Sequence, residues 1–281
     1  MKQIILNADD FGRHELINRA VERCVADGVL RSATLMPGGA AFDDAAALAA
    51  RTPALGVGIH LTLVNGNPVL PPAAIPSLVT ETGVFVDDHT AFAMRLLRGR
   101  VSLDEVRAEL AAQLRRVEAA GIHPTHADSH QHMHVLPGVI DIVLDLCSEA
   151  QIPAMRAPRA PLFAGNFGGI GQLIGRAGLS VLARRAAARA KARGIRTPDH
   201  FAGIVAGEAV DTEALTAIAS GLREAVTEVM LHPGTDNETL IRDCLWEHDF
   251  EAEFAAVCAP AVQDALAASG AEIVNFHVFA E

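Results

Sequence analysis

The chain has 281 residues, close to the roughly 250 of a typical single α/β barrel and enough to bury a large core without disulfide or metal staples. Half of the residues are apolar, which excludes a disordered chain, and a formal net charge of −11 repels phosphate and excludes general nucleic-acid binding. Cys24, Cys147, Cys244 and Cys258 form no CxxC pair and are expected to stay reduced in a cytoplasmic protein. The first apolar run, in MKQIILNADD, is too short for a secretion signal, and no long apolar stretch follows, so neither a leader nor a membrane span is expected.

Gln3 to Ala8 is an apolar run that stops at two aspartates and a glycine, the pattern of a buried strand entering a loop. Ile17, Ala20, Val21, Cys24 and Val25 repeat at helical spacing before Gly28. Ser32 to Met36 reads as a second strand, residues 43 to 51 as an Ala-rich helix and Leu55 to Leu63 as a third strand. Residues 64 to 90 are loop-rich, with Pro68, Pro71, Pro72 and Pro76. Ser102 and Glu105 form a capping-box signal for a helix that buries Val106, Leu110, Leu114 and Val117. A fourth strand is expected within His123 to Val135, then a helix with Val139, Ile140, Val143, Leu144 and Cys147, then a strand-like run from Ile152 to Ala157. Strands at His200 to Ala206, Glu228 to Leu231 and Glu272 to Val278 are separated by helices near 211–224 and 247–268. Alternating strands and helices demand parallel strands with helices outside. The expectation is one α/β domain over residues 1–281, an irregular (β/α) barrel, with an open doubly wound sheet as the alternative.

In α/β barrels the chemistry sits at the C-terminal strand ends, and there the polar residues collect. Asp9 and Asp10 end the first strand, where adjacent carboxylates need a cation or a proton between them, unless they merely cap the next helix. His60, in GVGIHLTL, lies near the end of the third strand; alone it would read as a satisfied core histidine. HADSHQHMH, residues 126 to 134, places Asp128, His130, His132 and His134 two apart, on one face if the strand stays extended. Histidines with a carboxylate behind them are a metal-site pattern; a surface histidine tract is the plainer reading. His232 precedes Pro233-Gly234 at a turn, where a general acid could stand, and Arg156 could contact substrate or orient an aspartate.

NADDFG at 7–12, GIHLTL at 58–63, THADSHQHMH at 125–134 and LHPG at 231–234 resemble the YdjC-like carbohydrate deacetylases, in order and over nearly the whole chain. The resemblance implies an irregular (β/α) barrel that uses one divalent metal ion, magnesium or zinc, to remove acetyl groups from N-acetylated amino sugars. It implies Asp10, His60 and His130 as metal ligands, Asp9 as catalytic base and His232 as catalytic acid; to give its proton to the leaving amine, His232 is expected to be protonated at the start. Arg156 matches only loosely; with His132 and His134 it is assigned to substrate binding. Other metal-dependent hydrolases, such as phosphoesterases, and a non-catalytic sugar- or lipid-binding barrel are the alternative classes; no Gly-rich phosphate loop supports the former.

Between Glu149 and Asp199 there is no acid, whereas Arg156, Arg159, Arg176, Arg184, Arg185, Arg189, Lys191, Arg193 and Arg196 all fall there, the cluster from Arg184 onward preceded by a glycine-rich apolar stretch. Residues 157–198 therefore read either as a core helix with a solvated basic face or as a lid or insertion. The lid reading resembles the hopanoid-biosynthesis branch of the family. It implies a glycolipid substrate and peripheral contact with the inner membrane face. A homodimer is left open.

Overall fold

The computed structural model describes residues 1–159, 170–204 and 209–280. β1 (Lys2–Phe11) is buried from Ile4 onward because it has neighbours on both sides. α1 (Glu15–Ala26), β2 (Ser32–Leu35), α2 (Phe42–Arg51) and β3 (Gly56–Leu61) follow. After the proline-rich loop come α3 (His89–Leu97), α4 (Leu103–Ala119), β4 (Ala127–Ser129) and a 3-10 segment, His130–Val135. The chain continues through α5 (Val139–Glu149), α6 (Ile170–Ala192), β5 (His200–Ala202), α7 (Thr212–Ser220) and β6 (Ala225–Leu231). It ends with α8 (Asn237–Cys244), α9 (Phe250–Cys258), α10 (Pro260–Ser269), β7 (Glu272–Ile273) and a 3-10 turn at Phe276–Phe279.

The strands are parallel in the order β4-β3-β2-β1-β6-β5, with β7 added on β1. The sheet curls into a half-barrel with helices around it, the irregular barrel expected of the alternating pattern. Beyond the β4 edge two isolated parallel bridges continue the curl, Ala127 to Met155 and Ala154 to Arg196. The Ala127 N–H donates to the Ala154 carbonyl at 3.0 Å, and the Met155 N–H to that of Arg196 at 2.9 Å. The strand-like run at 152–157 is thus a linking segment, not a full strand, and its Arg156 enters the barrel wall beside β4.

Three other expectations need correction. The fourth strand is only Ala127–Ser129, because Gln131 and His132 take left-handed φ values of 51° and 60° and wind the chain into the 3-10 segment. Asp128, His130, His132 and His134 therefore do not share one strand face. The helix expected over 247–268 is two helices, broken where Ala259 is extended before Pro260. The last strand is two residues long and gives way to a turn capped by the Asn275 side chain. Of the strand expected at His200 to Ala206, residues 205–206 lie outside the described residues, as do residues 160–169 of the 157–198 segment.

All four cysteines are free. Among the described residues no helix is long and apolar enough to cross a membrane. Part of the basic run forms partly exposed ion pairs within the chain: Arg189 of α6 and Arg193 just after it meet Asp141 and Asp145 of α5 at 3.0–3.8 Å.

Candidate metal centre and active site

The rim begins with a bulge. The β1–β2 register runs Asn7↔Ser32 and Ala8↔Ala33, then resumes at Phe11↔Leu35, so β1 carries one extra residue. Asp10 takes φ 60°, a strained value for a residue with a side chain. In a regular strand Asp9 and Asp10 would face opposite sides. The bulge brings both carboxylates into the group of side chains around His60.

Asp10 Oδ1 lies 3.3 Å from His60 Nε2 and 2.9 Å from His130 Nδ1. Both Asp10 Oδ1 and His60 Nε2 are buried and make no hydrogen bond. The second oxygen of Asp10 accepts from Arg13 at 2.8 Å, and Arg13 also donates to the Asn65 side chain and to the Cys244 carbonyl. β3 and β4 pair His60 with Asp128, whose carboxylate meets His60 Nδ1 at 2.7 Å and so turns Nε2 toward Asp10. Burial disfavours charge on His60, but Asp128, Asp10 and Asp9 outweigh it and raise its pKa to about 10. Two imidazoles and a carboxylate, two of whose donor atoms are buried without partners, fit a divalent metal ion.

Arg156 is fully buried beneath this centre. It donates to both Asp9 oxygens at 2.6 Å, to Asp128 at 2.8 Å and to Glu228 at 2.7 Å. Burial works to raise the Asp9 pKa, yet Arg156 overrides it and holds Asp9 well below the usual carboxylate range. The guanidinium has no exposed face for a substrate; it orients Asp9 instead. His134 is likewise buried, bonded to Ser129 and to the Arg156 carbonyl at 3.1 Å, and burial lowers its pKa to about 4. His132 is half-buried and edge-on to Phe201, with Nδ1 unbonded among the described residues.

Glu228 has one oxygen on Arg156 and the other without a partner, and burial lifts its pKa to about 7. A carboxyl whose folded pKa is raised stabilises the fold most below its unfolded value and loses that contribution as pH rises through about 7. Glu228→Gln keeps the shape and removes the titration. Melting curves are expected to shift in the variant's favour between about pH 4.5 and 7 by on the order of a few kcal/mol; a wild-type-to-variant difference constant with pH would contradict this.

His232 follows β6 directly, with Nε2 4.0 Å from Asp9 Oδ2. Burial lowers its pKa, although Glu253 and Asp9 oppose this, which favours the neutral imidazole. Behind it stand Glu253, which accepts the His232 and Val210 backbone N–H groups, and His248, stacked on Trp246. A cleft of about 340 Å³ opens beside the centre, walled by Arg13, Met36, Asn65, Asn67, Asp87 and Cys244. A larger one of about 850 Å³ lies at the other end of the strands, near Gln3 and Val226, away from these groups. Sequence reasoning named Asp128 and Arg156 but missed Arg13, Glu228, His248 and Glu253. A charged residue inside the apolar TEVML strand was the one available signal for Glu228.

The family model described as YdjC-like protein matches residues 3–268. A carbohydrate deacetylase of Brevibacillus brevis is 41% identical over 153 residues, a match spanning 54% of this chain and only 58% of that protein. A chitooligosaccharide deacetylase of Klebsiella pneumoniae is 34% identical over 246 residues, 85% of this chain and 84% of that one. A solved structure from Enterococcus faecalis V583, named for cellobiose-phosphate cleavage, covers 99% of this chain and 98% of its own at 26% identity and a TM-score of 0.75. With a match that runs from the first strand to the last helix, the chain belongs to the YdjC-like protein family.

Proposed function

We propose that the protein is a metal-dependent deacetylase that hydrolyses the N-acetyl group of an amino sugar, with Asp10, His60 and His130 as the metal ligands. The observation that carries this is the pair of buried, unbonded atoms, Asp10 Oδ1 and His60 Nε2, turned toward each other beside His130 and flanked by Asp9 and His232. The names of the relatives support the substrate class. A divalent ion held there would polarise the acetyl carbonyl and acidify water.

The residues of the chain do the proton work. Asp9, ionised and held by Arg156, takes the proton of the attacking water on Oδ2. The water oxygen bonds to the acetyl carbon, and the carbon–nitrogen bond then breaks. The departing nitrogen needs a proton, since an amide anion is too poor a leaving group. His232 begins neutral, takes the proton from Asp9 on Nε2 and passes it to the nitrogen, giving acetate and a free amine. This route starts from the neutral imidazole, the form that burial favours, where a proton on His232 at the start was the expectation. Arg156 and His134 position, and His132 at the Phe201 edge is the contact with substrate. The sugar ring occupies the cleft beside Arg13 and Asn65.

Metal-loaded protein is expected to release acetate from N-acetylglucosamine oligomers, to stop on chelation and to recover on adding metal. Asp9→Asn, nearly isosteric but unable to take the proton, is expected to keep its metal and lose about 10²–10⁴-fold in turnover. Turnover on a phosphate ester without acetate release would overturn the deacetylase reading, and metal loss in Asp9→Asn would make Asp9 a ligand.

A further inference from the structure

Two other groups of side chains could hold a cation: Asp9 with His60 and Asp128, and His232 with His248 and Glu253. The first is already neutralised, because the Arg156 guanidinium bonds both of its carboxylates. The second is not. Glu253 is 1% exposed, and among the described residues no Arg or Lys lies within ion-pair distance of it. A buried carboxylate without a cation is costly. Among the described residues its ionisable neighbours are imidazoles: His248 Nε2 at 3.2 Å from Oε1 and His232 Nδ1 at 3.8 Å from Oε2. His248 Nε2 is buried and, despite that approach, is off-line for a hydrogen bond and has no partner. The backbone N–H groups of Val210 and His232 pin both carboxylate oxygens, so the acceptor is preorganised. The His232 side chain, 13% exposed, keeps one side of the group open.

We propose that His232 Nδ1, His248 Nε2 and Glu253 form a second divalent-metal site, weaker than the Asp10 centre and selective for zinc-like ions, whose filling inhibits the enzyme. Two imidazoles and one carboxylate suit zinc or cobalt; magnesium, which prefers oxygen donors, is disfavoured. Inhibition follows from proton accounting. A metal on Nδ1 displaces the proton from that nitrogen and leaves Nε2 carrying a hydrogen. Nε2 then cannot accept a proton from Asp9 and could donate only by forming an imidazolate. The relay to the leaving nitrogen is lost while the Asp10 centre stays intact. This consequence rests on the proposed function; the existence of the site does not.

The test is a zinc titration of metal-free full-length protein, counting bound zinc by elemental analysis and following the single tryptophan. Trp246 is the only one in the chain and stacks on His248 with centroids 4.2 Å apart and planes at 14°. Wild type is expected to bind two zinc ions per chain, with the Trp246 emission change on the second equivalent. His248→Ala and the closer isostere His248→Gln are each expected to bind one. Asp10→Ala is expected to bind one and retain the emission change. In acetate release, the ratio of turnover at excess zinc to turnover at one equivalent is expected to fall several-fold below unity in wild type and to return toward unity in both His248 variants. Saturation of wild type at one zinc, or two zinc ions in both His248 variants, would overturn the site. Two zinc ions without loss of turnover would overturn the inhibition alone, and absence of any acetate release with the zinc count intact would strike the proposed function and leave the site standing.

Discussion

Asp10→Ala is expected to abolish tight metal binding and to lower acetate release by about three orders of magnitude or more, the scale of several kcal/mol of lost Lewis-acid stabilisation. Asp10 supplies the only carboxylate oxygen between His60 and His130, and it is held at that point by the β1 bulge and by Arg13. Burial works to raise its pKa, but His130 and Arg13 hold it well below the ordinary carboxylate range, which favours the anion a cation needs. Without it two imidazoles face each other with no carboxylate oxygen between them and the Arg13 guanidinium 3.4 Å from His130, a poor place for a cation. Asp10→Asn is expected to behave almost as badly, because the amide preserves the shape and loses the charge. Elemental analysis and acetate release measured on the same samples check this; full metal content in either variant would remove Asp10 from the ligand set.

Arg156→Met is expected to cost about 3–5 kcal/mol of stability, or on the order of 10 °C in melting temperature, besides silencing the enzyme. The fully buried guanidinium is the one cation shared by Asp9, Asp128 and Glu228. Removing it takes the bonded cation from Asp9 and Glu228 and leaves Asp128 with His60 alone, and breaking a buried ion network by one partner is far worse than never having built it. The sign with pH is fixed: the orphaned acids would regain neutrality by binding protons, so the destabilisation should shrink from pH 8 to pH 5. Arg156→Lys is expected to recover part of the stability and little turnover. A point charge can neutralise but cannot bond both oxygens of Asp9 at 2.6 Å and thereby aim it. Melts of both variants across that pH range decide the matter; a pH-independent loss would mean that packing, not charge, is at stake.

Much of the centre was legible because the chemistry of the residues is local. Asp9-Asp10 at the end of an apolar run, a histidine in GVGIHLTL and the HADSHQHMH run all declare polar groups where a parallel barrel opens. The alternation of strands and helices likewise determined the parallel sheet, since hydrophobic periodicity is written in neighbouring residues. The helices α3 and α8 went unread, the first within and beyond a proline-rich loop and the second a short segment after a turn. Pro260 marks the helix break that the apolar pattern alone ran through.

What the tertiary structure decided is how those groups are turned and what stands behind them. One extra residue in β1 places two consecutive carboxylates in one site, and two left-handed residues after β4 scatter a run that alternation would have aligned. Asp128 became the partner of His60 through strand register, and Arg156 became the counter-ion of three acids from β1, β4 and β6. His248 and Glu253 joined His232 because the start of α9 packs against the end of β6. Bulges, register and packing depend on residues far apart in the chain, and the energy that selects them comes from burying charge, which is known only once the neighbours are in place.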